Sequence, residues 1–283
     1  MTRKLETIFE DLCLGESLRW RDGTLYFSDI HANEVGRLGH DGKRETVARF
    51  NGPVSGLGWL PDGRMLVVSM QEKCVLRQER DGSFAVHADL SAIATGIAND
   101  MIVRDDGVAF VGNFGFSLYP PEDPCPAVLA RIDADGTVNI AEQETYFPNG
   151  MAITADGATL ILAESGAGCL TAFDLAVDGS LSNRREWAEL PAGAIPDGIC
   201  LDAEGLVWAA SPYSSEVLRI REGGDVVERI ATEQQALSCM LGGDDRRTLY
   251  ICTADSTDPE LCRLNRTGRI LATRVEVPGA GLP

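Results

Sequence analysis

A tight turn recurs along this chain, and its recurrence leaves few folds open. Short runs rich in β-branched and aromatic residues alternate with Asp-Gly or a close variant. That is a strong hairpin signal, because a type I′ turn needs positive φ at both central positions. One series reads Asp22-Gly23, Asp62-Gly63, Asp106-Gly107, Asp156-Gly157 and Glu204-Gly205, with Asp244-Asp245-Arg246 as a weaker sixth member. The spacings from Asp22 through Asp62, Asp106, Asp156 and Glu204 to Asp245 are 40, 44, 50, 48 and 41 residues. A second series falls between them: Asp41-Gly42, Asp81-Gly82, Asp135-Gly136, Asp178-Gly179, Glu222-Gly223 and Thr267-Gly268. Two hairpins per unit mean four strands per unit. Six such units predict an all-β fold, a six-bladed β-propeller with four-stranded blades. The runs after the first-series turns, such as Val108-Ala109-Phe110-Val111 and Leu206-Val207-Trp208-Ala209, are apolar on both faces, as strands between packed blades should be. No stretch carries a long 3.6-residue period. A sandwich of the same strands is the structural rival, and the regular spacing argues against it. Leu5 to Phe9 and Ile270 to Val277 are both strand-like and are expected to pair and close the ring, leaving 279–283 as a tail.

No linker or charge run divides the chain, so residues 1–283 read as one domain. The formal net charge of −18 repels nucleic acid and anionic membranes, and the basic residues are scattered. No segment approaches the ~20 apolar residues of a membrane span, and no apolar run follows the charged start. The eight cysteines form no C-x-x-C pair and read as reduced thiols. The expectation is a cytoplasmic protein acting on a small molecule, with its oligomeric state left open. Trp20, Trp59, Trp187 and Trp208 sit in strand-like runs and read as packing residues.

Polar residues share a register on the first strand of each blade. Seven residues before each first-series anchor from Asp62 to Asp245 stand Ser55, Asn99, Asn149, Asp197 and Ser238; in blade one, a residue shorter, Glu16 stands six before Asp22. First strands line a propeller's channel, so these positions form a ring at one mouth. The next residues include Gly56, Gly150 and Gly198, which suit crowded backbone near an axis. Pro148-Asn149-Gly150 and Pro196-Asp197-Gly198 also read as turns on their own; the shared register is what singles them out. Converging carboxylate and carboxamide oxygens repel one another unless a cation or protons intervene, and two carboxylates match one divalent ion. Oxygen-only ligands suit calcium best, then magnesium or manganese. No His or Cys pair is placed for a tetrahedral zinc site.

These residues carry a resemblance. Gly15-Glu16-Ser17, Asn99-Asp100, Asn149-Gly150 and Pro196-Asp197-Gly198 resemble the signatures of the senescence-marker-protein / gluconolactonase / luciferin-regenerating-enzyme family, in order on successive blades. The resemblance implies a six-bladed propeller with one divalent metal in the central channel, calcium first, with zinc, manganese or magnesium as alternatives. It implies Glu16, Asn149 and Asp197 as metal ligands and Asn99 as a contact to substrate or metal-bound water. Two positions depart from the family. Leu18 stands where members often have Pro, and Ile97 stands where sugar-lactone hydrolases commonly carry Arg. Ile97 argues for a more apolar lactone or ester.

The expected chemistry is hydrolysis of a lactone or related ester, with a metal-activated water attacking a metal-polarised carbonyl. Asp197 is assigned as ligand and general base, with ligand alone as the alternative, and Asn99 as donor to the oxyanion. Asp100 is expected to point away as support. The stretch 113–124 is expected to form a lid whose Phe114, Phe116 or Tyr119 touches substrate, or else a plain solvent loop; Tyr146 and Phe147 would add a second wall. His31, His40 and His87 fall outside the channel register and read as surface residues, and no G-x-S-x-G elbow appears. The competing readings are a non-catalytic binding propeller with a structural calcium, and an organophosphate-type hydrolase on the same site.

Overall fold

Six four-stranded antiparallel sheets make up the computed structural model, which describes residues 3–39 and 42–283. His40 and Asp41, with half of one second-series turn, lie outside the described residues. Blade one comprises Gly15–Arg21, Thr24–Asp29, Glu34–Leu38 and Arg44–Arg49 from the inside outward, and blades two to five repeat the pattern in chain order. Their inner strands are Val54–Trp59, Ala98–Val103, Pro148–Ile153 and Ile199–Leu201. Blade six is composite. Its inner strand Gln235–Gly242 is followed by Thr248–Ala254 and Gly268–Arg274, and Glu6–Leu12 adds the outermost strand. Glu6 pairs with Ala272 and Leu12 with Gly268, so the two ends close the ring as the sequence suggested. Each inner strand contacts the inner strands of both neighbours, which makes a closed wall around the channel.

The core lies in the seams between blades. Leu66, Val75, Met101 and Ile132 fill the seam of blades two and three. Phe110, Leu129, Leu162 and Phe173 fill that of three and four. One larger cluster joins blades five, six and one through Trp208, Met240, Leu18 and Phe27. Each such side chain contributes roughly 1.5–3 kcal/mol when fully buried, so the ring is held mainly by what its blades hide from water. Trp187 and Trp208 are buried and Trp20 stacks on Tyr250 at 5.6 Å, in keeping with packing roles.

The turns differ from the expected type in an informative way. Among the first-series turns, all described, blade one alone has the two-residue type I′ form, with Asp22 at φ 48° and Gly23 at φ 73°. In blade two, Gly63 N–H donates to Leu60 O at 2.9 Å, and Gly63 alone has positive φ, 85°. That is a three-residue loop with a left-handed glycine, and it accounts for the extra residue between ring position and anchor. The aspartate also contributes: Asp62 Oδ1 accepts from Arg64 N–H, and Asp81, Asp135 and Asp178 do the same in the second series.

Thr267-Gly268 is not a hairpin, because blade six receives its fourth strand from the other end of the chain. The dipeptide instead leads from a short helix, Pro259–Asn265, into the third strand. The sequence reading had no helix here. It is two turns long and capped by Asp258, whose carboxylate accepts from Glu260 and Leu261 N–H at 2.9 Å. Residues 279–283 are not a free tail. Ile153 and Leu282 exchange two backbone hydrogen bonds of 2.9 Å, and Ala280 N–H donates to Leu201 O at 3.0 Å, across the channel end opposite the polar ring. No helix among the described residues is long and apolar enough to cross a membrane.

Candidate active site

A bulge sits at or next to the ring position of five inner strands. The ladder skips between Glu16 and Arg19, Val54 and Leu57, Ala98 and Met101, Pro148 and Met151, and Ala236 and Ser238. In blade five the strand begins only at Ile199, after Asp197-Gly198. A bulge frees residues from strict alternation, so neighbours can both face the channel. The glycines that follow have a definite reason. A Cβ on Gly150 would stand 2.5 Å from Asp197 O, and one on Gly198 would stand 2.7 Å from Ser238 Cα. Gly150 N–H donates to Asp197 O at 3.2 Å and Gly198 N–H to Leu237 O at 2.9 Å, so backbones of adjacent blades meet there.

Glu16, Asn99 and Asn149 are buried, and Asp197 is partly exposed. Asn149 is held in place on both sides. Its amide donates to Ser165 Oγ at 3.1 Å and to the Asp197 carboxylate, and Ser165 donates to Pro196 O at 2.6 Å. That leaves the Asn149 carbonyl oxygen as the group to offer a ligand. Asn99 Nδ2 reaches Pro148 O at 3.5 Å, a long contact that ties blade three to blade four. Glu16 Oε2 accepts from Ser17 N–H at 2.8 Å. Ser55 and Ser238 serve the wall. Ser55 Oγ meets Ser17 Oγ at 3.4 Å, and Ser238 Oγ accepts from Leu18 N–H at 3.2 Å.

Asp100 does not point away from the channel. Its Oδ1 accepts from Ser17 Oγ at 3.1 Å and from Met101 N–H at 2.8 Å, and it pairs with Arg19 Nη2 at 2.8 Å. The bulge after Ala98 is the reason. Arg19 was missed at the sequence level. Its buried guanidinium also donates to Leu57 O at 3.1 Å, Leu18 O at 2.9 Å and Met101 O at 2.6 Å, spanning blades one to three beneath the ring. The signal was an arginine between Leu18 and Trp20 on a strand already assigned to the channel. Ser165 was also missed; it lies outside the repeated register and carries no sequence signal.

Like charges gather here. Burial, then the negative charges of Asp197 and Asp100, push the Glu16 carboxyl well above the usual range. Burial and Asp100 raise Asp197 to about 8, against the opposing hydrogen bond from Asn149. Among the described residues no three His, Cys, Asp or Glu side chains form a metal-binding group. The converging donors are carboxylates joined by carboxamides. Oxygen donors with two proton-hungry carboxylates fit a hard divalent cation.

Above the ring lies an apolar wall. Phe114 and Phe147 pack with ring centroids 4.2 Å apart, and Phe116 meets Phe147 edge-on at 5.9 Å. Phe114 N–H donates to Ile97 O at 3.0 Å, which fixes this wall beside Asn99. The blade-three loop does cross the mouth. Tyr119 Oη lies 2.9 Å from Thr257 Oγ1 on the blade-six loop. Tyr146 is exposed. His31 and His87 are partly exposed, and burial lowers the pKa of each; neither joins the ring. Clefts of about 540 and 590 Å³ lie at the rim of blade one, away from the channel. Their arginines pair with carboxylates such as Glu34 and Glu45.

The same chain is similar to known proteins over almost its full length. It is 29% identical over 280 residues to the 6-deoxy-6-sulfogluconolactonase of Pseudomonas putida, covering 95% of this chain and 94% of that one. Its fold matches the luciferin-regenerating enzyme with a TM-score of 0.84 at 21% identity, covering 99% of this chain and 98% of that one. It matches the calcium-binding protein regucalcin from Agrobacterium tumefaciens with a TM-score of 0.83 at 19% identity, covering 100% and 97%. Residues 14–255 fit the model of the SMP-30/Gluconolactonase/LRE-like region, a span from just before Glu16 to just past Thr248–Ala254, the second strand of blade six. Blade count, ring register and family match therefore agree: the chain belongs to the SMP-30/gluconolactonase/LRE-like family.

Proposed function

We propose that this protein is a divalent-metal-dependent hydrolase that opens a lactone or related carboxylic ester. The observation that carries the reading is the approach of buried Glu16 to Asp197 from a non-adjacent blade, both held above the usual carboxylate range, with Asn149 hydrogen-bonded to Asp197. The 6-deoxy-6-sulfogluconolactonase relative supports lactone opening, and the calcium-binding regucalcin supports the cation. Glu16, Asn149 and Asp197 would hold one ion, calcium first, with zinc, manganese or magnesium as alternatives. When bound, that ion would polarise the carbonyl and lower the pKa of a water.

The chain's own residues do the rest. Asp197, the most accessible carboxylate of the ring, takes the proton of the attacking water. The water oxygen bonds to the acyl carbon, the ring C–O bond breaks, and the proton passes to the leaving alkoxide, giving a hydroxy acid. Asn99 donates from its amide to the oxyanion. Ser165 orients Asn149, and Arg19 keeps Asp100 paired beneath. Ile97, Phe114 and Phe147 form the substrate wall. The substrate is a small molecule. The charge of −18 speaks against nucleic acid or anionic membrane as partner, and eight free thiols suit a reducing cytoplasm. Residues 1–283 would act as one domain, since Glu6–Leu12 completes the sheet begun at Gln235.

The test is a panel of lactones, aryl esters and a phosphotriester, assayed after chelation and with calcium, manganese, magnesium or zinc restored. Turnover restored by metal and lost in Asp197→Asn is expected; unchanged turnover in that variant removes Asp197 as base. If nothing on the panel is opened but chelation lowers the melting temperature, the ion is structural and the propeller is a binding module. Phosphotriester turnover alone points to the organophosphate-type alternative.

A further inference from the structure

We infer that the lactone taken by this site carries an apolar substituent of several carbons, alkyl or aryl, in place of the polyhydroxylated or anionic chain of a sugar acid. This rests on the lactone-opening reading above. Under the mouth lies one apolar cluster of buried Leu14 and Ile30 of blade one, Met70 of blade two and Leu237 of blade six, and partly buried Ile97 and Phe114 of blade three pack against it. Blades three and six face each other across the axis, so this apolar layer backs the opening on both sides. The Phe114–Phe147 contact carries it on to blade four, beside Asn149. Ile97, Phe114, Phe116 and Phe147 remain only partly buried, which leaves apolar surface for a ligand to cover.

The charges of the site point the same way. A sulfonate or carboxylate on the substrate needs a cationic partner. The ring offers Glu16 and Asp197. The divalent ion of the reading above would be balanced by those two carboxylates, and Arg19 lies beneath them, with its guanidinium engaged by Asp100 and three backbone carbonyls. Sugar hydroxyls laid along phenylalanine and isoleucine would lose water without gaining partners. Tyr119, Tyr213 and Leu261, in the loops and helix that follow the second strands of blades three, five and six, are also exposed.

The experiment measures kcat/KM for γ-lactones bearing side chains from none to eight carbons, alongside gluconolactone, with saturating calcium. Binding of the matching γ-alkyl lactams, which resist hydrolysis, is followed by calorimetry. Both kcat/KM and lactam affinity should rise roughly three- to fourfold per added methylene over the first several carbons. Phe114→Ala and Phe147→Ala should flatten that rise. Gluconolactone opened readily beside a flat alkyl series would overturn this inference and leave the lactonase reading standing. Lactams bound with a chain-length dependence while no lactone is opened would support the apolar ligand and end the lactonase reading. No turnover together with no chain-length dependence in lactam binding would end both.

Discussion

Three carboxylates and one guanidinium share the interior of the channel, and their charges set how the site behaves. With all three carboxyls ionised, Glu16, Asp100 and Asp197 exceed Arg19 by two negative charges, the charge of one divalent ion. Arg19 and Asp100 are almost fully enclosed, with side chains 8% and 5% exposed. Replacing Arg19 with Met strands a buried carboxylate, so the variant should lose about 3–5 kcal/mol in urea unfolding. The double change Arg19→Met, Asp100→Asn should recover much of that loss; equal loss in both variants would show that Arg19 acts by packing alone. The ring carboxylates give a pH dependence of definite sign. Glu16 and Asp197 hold protons in the folded state at pH values where the unfolded chain has released them, Asp197 up to about 8. The folded state then binds more protons, and stability falls as pH rises from about 4 to 8. The melting temperature of chelated protein should therefore drop between pH 5.5 and 8.5. The drop should be shallower in Asp197→Asn, and saturating calcium should remove it. A flat profile in the chelated wild type would count against the buried pair.

At the level of strands, the bulge is the device that builds the site, and glycine permits it. Gly150→Ala would drive a methyl group into Asp197 O, displacing both Asn149 and Asp197. A loss of about 1–3 kcal/mol is expected by denaturant titration, with calcium affinity falling alongside. Unchanged calcium binding would mean that the two strands can separate at no cost to the ring. The same device explains what the sequence could and could not tell. The blades were legible because Asp-Gly is a local signal, fixed by the turn's own φ values and by the aspartate accepting the N–H two residues on. Ring members were legible because they keep a constant offset from those turns. Asp100 was misplaced because a period of two assumes an unbroken ladder, and the bulge breaks it after Ala98. Arg19 faces the channel for the same reason in blade one. The helix Pro259–Asn265 is too short to show a period and depends on its Asp258 cap. Ser165 owes its role to the approach of blade five, which no local pattern encodes.

At the scale of the whole molecule, closure joins residues from opposite ends of the chain. Glu6–Leu12 pairs with Gly268–Arg274, and the seam beyond it belongs to the largest apolar cluster. Removing residues 3–12 would leave Gly268–Arg274 as an open edge and uncover that cluster. The truncated protein should melt well below the full chain and elute partly as oligomers in size-exclusion chromatography. A monomer of unchanged melting temperature would show that the fourth strand of blade six is dispensable. The same closure orders events during synthesis. At about 5–20 residues per second, the 256 positions separating Leu12 from Gly268 take the ribosome roughly 13–50 s to traverse. For that time Glu6–Leu12 lacks the strand it pairs with in the finished ring. Its sequence, Glu6-Thr7-Ile8-Phe9-Glu10-Asp11-Leu12, places three acidic residues around Ile8 and Phe9, and all three stay at the surface of the finished ring. Those charges keep the waiting segment from pairing with the same segment of another nascent chain.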